Sequence, residues 1–99
     1  MSDDSFAPPP FNPETARATL VRAMRDLKLV ERSGAFELGG QPVVRARVEG
    51  AALQLDVARR PSRSPDWEHR SADDHAKLRH FIDEVKRRVS RWHEGRDAD

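Results

Sequence analysis

Between Ser71 and Trp92 the apolar residues Leu78, Phe81, Ile82, Val85, Val89 and Trp92 recur every three or four positions, which puts them on one stripe of a single amphipathic helix. A stripe of that kind has to be buried against something. From Leu78 to Trp92 it would run about 21 Å at ~1.5 Å per residue, and a six-residue strand spans about 20 Å. A small sheet from the same chain is therefore long enough to cover it.

The residues upstream supply such a sheet. Phe36 and Leu38 alternate with Glu37; Val44, Ala46 and Val48 alternate with Arg45, Arg47 and Glu49; Leu53, Leu55 and Val57 alternate with Gln54, Asp56 and Ala58. Turns are expected around Ser33-Gly34, at Gly39-Gly40-Gln41 and at Glu49-Gly50. A three-residue loop at Gly39-Gly40-Gln41 sets Leu38 opposite Pro42 and Phe36 opposite Val44. A two-residue loop at Glu49-Gly50 sets Ala46 opposite Leu53 and Val44 opposite Leu55. In this register the large apolar residues share one face.

An earlier helix is announced by Asn12 as a cap, Pro13 in the first turn, Glu14 beside the positive end of the dipole, and Phe11 placed to staple against Ala16. Its apolar face runs through Ala16, Leu20, Met24 and Leu27 to about Lys28. The expected fold is α+β: a three-stranded antiparallel meander with two helices packed on one face, in the order α-β-β-β-α. Residues 1–11, with Ala7-Pro8-Pro9-Pro10, read as a disordered Pro-rich lead, residues 12–93 as a single domain and residues 94–99 as a flexible tail.

Composition narrows the function classes. The formal charge of +1 supplies no global field toward nucleic acid or lipid, and the preference for Arg over Lys is what a GC-rich genome produces. With no Cys there is no disulfide framework or thiolate site, which favours the cytoplasm. The acidic start Met-Ser-Asp-Asp-Ser does not read as a signal peptide. No run of about 20 apolar residues is present to span a membrane.

No nucleophile elbow, phosphate-cradling Gly-rich loop or metal motif occurs, so the expectation is a non-enzymatic chain without cofactor or small-molecule substrate. His69, His75, His80 and His93 lack helical metal-pair spacing. Asp73-Asp74 and Asp83-Glu84 have structural roles open to them, the first pair at a helix start and the second four residues before Arg87 and Arg88.

Two candidate surfaces remain. Arg45 and Arg47 project from the sheet face opposite the helices, where no aromatic platform for base stacking accompanies them. In residues 59–70, taken as one long loop, Arg59, Arg60, Arg63 and Arg70 surround Trp67, a grouping that could clamp phosphate or an acidic peptide or simply anchor the loop. The expected element order is shared with double-stranded-RNA-binding domains, but their lysine cluster and Gly-Pro-x-His loop are replaced here by Ala72-Asp73-Asp74-His75 and Gly39-Gly40-Gln41-Pro42. The expectation is a protein-interaction or accessory module that uses the open sheet face or an edge strand, possible self-association included. The alternative is a nucleic-acid-binding module that uses the sheet-face and loop arginines.

Overall fold

The computed structural model describes residues 10–97. Its element order is α1 (Pro13–Asp26), β1 (Val30–Arg32), β2 (Ala35–Leu38), β3 (Gln41–Glu49), β4 (Ala52–Ala58), β5 (Trp67–Ala72) and α2 (His75–Asp97). The class is α+β as expected, but the sheet has five strands rather than three, in the antiparallel order β1-β2-β3-β4-β5. The shared element order with double-stranded-RNA-binding domains is thereby lost as well.

Helix α1 begins where its cap residues place it: the Asn12 side chain accepts from the Glu14 and Thr15 amides at 2.9 and 3.2 Å. It ends in a Schellman closure, with the Leu29 amide donating to Met24 and the Lys28 amide to Arg25, while Lys28 takes the left-handed conformation at φ 68°. Leu29 then drops into the core.

Three tight hairpins follow. Ser33-Gly34 and Gly39-Gly40 both have positive φ at each central residue, which is the type I′ geometry that suits the twist of two-residue hairpins. The third turn is Gly50-Ala51 rather than Glu49-Gly50, since Glu49 pairs with Ala52. Val44 therefore faces Val57, and Ala46 faces Leu55, two residues from the expected partners. Because side chains alternate with period two, this slip leaves every apolar residue on its intended face. The pairing of Phe36 with Val44 is as expected, whereas Leu38 meets Gln41 instead of Pro42 because a bulge at Val43 takes up the extra residue. Val43 and Val44 are consequently both fully buried.

The expected loop over 59–70 is only half a loop. Its second part is β5, which pairs with β4 from Leu53↔Ala72 to Ala58↔Trp67. Ser71 and Ala72 thus belong to a strand rather than to the second helix, whose cap is Asp74, accepting from the Lys77 amide at 2.7 Å. Helix α2 continues to Asp97, through part of the stretch read as a tail. Of the Pro-rich lead read over 1–11, residues 1–9 lie outside the described residues, as do the last two residues of the chain, while Phe11 packs against the core.

Both helices cover the same sheet face. One core joins Ala16, Leu20 and Met24 of α1 and Leu78, Phe81, Val85 and Val89 of α2 to Phe36, Val44, Leu53, Leu55 and Val57. The N-terminal ends of the helices lie together, with Phe11 edge-on to His75 at 5.4 Å. Nothing among the described residues covers the other sheet face with secondary structure, and no helix is long and apolar enough to cross a membrane.

Candidate functional site

Alternation from the buried positions assigns the helix-free face to Val30 and Arg32 on β1, Ala35 and Glu37 on β2, Arg45, Arg47 and Glu49 on β3, Gln54 and Asp56 on β4, and Trp67, His69 and Ser71 on β5. Three of the seven residues nominated from sequence, Arg45, Arg47 and Trp67, are brought together here. The centre is Arg45. Its guanidinium lies 4.0 Å from the Trp67 ring centroid and bonds Asp56 Oδ2 at 3.1 Å, two contacts that fix a side chain otherwise free to rotate.

Asp56 also meets His69 Nδ1 at 3.1 Å, and His69 Nε2 lies 2.8 Å from Gln54 Oε1. The result is one polar chain, Trp67–Arg45–Asp56–His69–Gln54, running across three strands. Beside it, Gly34, Arg45, Ala46, Arg47, Gln54 and Asp56 line a shallow concavity of about 300 Å³. Asp56 stands directly opposite Arg45 in the ladder, whereas the register expected from sequence sets Gln54 there and makes Asp56 a diagonal neighbour. His69 could not be placed from sequence because β5 was not seen as a strand.

The face neutralises itself. Arg32 pairs with Glu37 at 3.8 Å, Arg45 with Asp56 at 3.1 Å, and Arg47 with Glu49 at 3.6 Å. Each arginine of this face thus has a carboxylate of the same face beside it.

Arg70 is not on this face. Its partner in the ladder is Leu55, so it points toward the helices, together with Glu68. There it forks onto Glu84 of α2, Nε to Oε1 at 3.1 Å and Nη2 to Oε2 at 2.9 Å, while also reaching Glu68 at 3.2 Å. Arg88 closes the group on Glu68 at 2.6 Å, Glu84 at 2.8 Å and the Ala58 carbonyl at 3.0 Å. This quartet clamps β5 to α2.

Burial alone would raise the Glu84 carboxyl, but the hydrogen bonds and charges of Arg70 and Arg88 outweigh it and hold the group below 4.5. Glu68 is lowered too, first by the hydrogen bond from Arg88, against some burial and with help from Arg70. The bond to Glu84 is the main reason that Arg70 is raised.

Of the remaining nominees, Arg59 is spent on Glu68 at 3.4 Å. Arg60 and Arg63 are exposed on the loop over 59–66 and form no ion pair among the described residues. The sequence grouping around Trp67 is therefore split three ways, between the open face, the clamp and the loop. Among the described residues no cluster of three or more His, Asp or Glu could hold a metal ion. No protein-family model, curated protein or solved structure matches this chain.

Proposed function

We propose that the chain is a small non-enzymatic interaction module whose contact surface for a protein partner, a second copy of itself included, is the helix-free sheet face centred on Arg45 and Trp67. The observation that carries this reading is the self-neutralisation of that face. A surface whose arginines already hold carboxylates offers little to a phosphate backbone, whereas a mixed polar face around a fixed Trp–Arg pair has the makeup of a protein interface centre. The nucleic-acid alternative placed on Arg45, Arg47, Arg59, Arg60, Arg63 and Arg70 has salt bridges on four of its six arginines, which leaves Arg60 and Arg63 on the loop as the unpaired ones among the described residues.

The edge of β5 is a poorer candidate than the face. The Arg59 amide bonds the Asp66 carbonyl, which makes Glu68, Arg70 and Ala72 the residues bonded to β4 and turns the backbone groups of Trp67, His69 and Ser71 outward. One of those, the His69 carbonyl, is already taken by Arg70 Nη1 at 2.9 Å. A strand added there would meet a blocked acceptor in the middle of the edge.

A photo-crosslinking amino acid placed at Gln54 and, separately, at Ser90 on the helical side tests the reading in native lysate. A discrete protein adduct from position 54 that survives nuclease and disappears with Trp67→Ala is expected. No adduct, or the same adduct from position 90, overturns it.

A further inference from the structure

The charges on the helical side are arranged in the opposite way from those on the sheet face. Arg22, Arg25 and Lys28 on and just after α1, and Arg79, Lys86, Arg87 and Arg91 on α2, are all exposed, and none forms an ion pair among the described residues. Glu14, Asp26, Asp74, Asp83 and Glu94 share this side without forming an ion pair, so these seven cations exceed the five anions by two. Asp83 is the main dissenting charge, and it stands one turn from both Arg79 and Arg87.

We propose that this helical face is a docking surface for the phosphate backbone of duplex nucleic acid, separate from the sheet face and independent of what that face binds. Helical phase places Arg22 of α1 and Arg79 and Lys86 of α2 toward the seam between the helices, with Arg87 and Arg91 beyond it on α2. On α2 the cations from Arg79 to Arg91 cover about 18 Å at ~1.5 Å per residue. Both helices lie on the same sheet face, so these cations share one surface.

The unpaired cations of the face are what favour this occupant. The seam between the helices also holds a mostly apolar groove of about 260 Å³ that Ala16, Leu78 and Ile82 line, and Arg79 borders it. Of the larger aromatic rings on this side, Phe81 is buried and Phe11 and Trp92 are half-buried against the core, which leaves little platform for unpaired bases. What it does present is guanidinium and ammonium donors with nothing in them, which suits sequence-independent backbone contact.

Fluorescence anisotropy with a labelled duplex of about 20 base pairs, DNA and RNA in turn, tests the proposal across a salt series. Four or five phosphate contacts predict a slope of log affinity against log salt near −4, hence a loss of roughly 100-fold or more between ~50 and ~200 mM salt. Lys86→Ala with Arg87→Ala should make that slope shallower by about 2, roughly 1 per lost contact. Arg45→Ala with Arg47→Ala, on the sheet face, should leave it unchanged. Absence of binding at low salt up to ~100 μM protein overturns the proposal. So does binding that depends on Arg45 and Arg47 instead, or binding to phosphatidylserine vesicles but not to either duplex.

Discussion

Replacing Glu84 by Gln removes one charge from the clamp between β5 and α2 while keeping the volume of the side chain. Glu84 is 17% exposed and receives the bidentate fork of Arg70 and a bond from Arg88, which is itself 19% exposed. Exposed pairs contribute about 0–1 kcal/mol, and breaking a fully buried pair costs about 3–5 kcal/mol. The clamp lies between these limits, so the substitution is expected to cost about 2 kcal/mol at neutral pH, or roughly 10 °C in Tm for a domain of this size.

The pH dependence supplies an internal check. Glu84 and Glu68 are both lowered from 4.5 in the folded chain. The stability they contribute is therefore complete above about 4.5, the unfolded value, and is lost as pH falls through their lowered folded values. Arg70 is raised from an already high value and stays charged throughout that window. Urea unfolding of the parent and of Glu84→Gln between pH 7 and pH 3 should show the gap closing on the acid side. A gap below about 0.5 kcal/mol at pH 7, or one that does not narrow in acid, would refute the reasoning.

Two further changes test the ends of α1. Lys28→Gly relieves a left-handed residue that carries a side chain, so urea denaturation should show a gain of about 0.5–1 kcal/mol. Asn12→Ala removes the acceptor for two helix amides and should cost about 1 kcal/mol by the same measurement.

The parts of this fold that were legible in the sequence are those whose inward residues are apolar. Ala16, Leu20 and Met24 of α1, the alternation of β3 and β4, and the stripe of α2 all announce the face that they bury. β5 could not be read because two of its three inward positions, Glu68 and Arg70, are charged and the third is the small Ala72, while their partners Glu84 and Arg88 lie on a helix 14 to 20 residues away. β1 has three residues, too few to show a period, and all are exposed. The hairpin slip at Gly50-Ala51 escaped for a related reason, since moving by two residues exchanges one apolar partner for another.

The site was affected in the same way. Arg45 and Arg47 were visible as outward residues of an alternating strand, but without β5 the sequence had no means of placing Trp67 against Arg45 or of sending Arg70 to the opposite side.

The Trp67–Arg45 contact on the open face and the clamp on the helical side both follow from residues 67–72 forming a strand with its charged residues turned inward. Native-state amide exchange followed by NMR addresses this residue by residue. The account predicts strong protection at Glu68, Arg70 and Ala72, whose amides bond β4, alternating with fast exchange at Trp67, His69 and Ser71. Uniformly fast exchange across all six residues would contradict it.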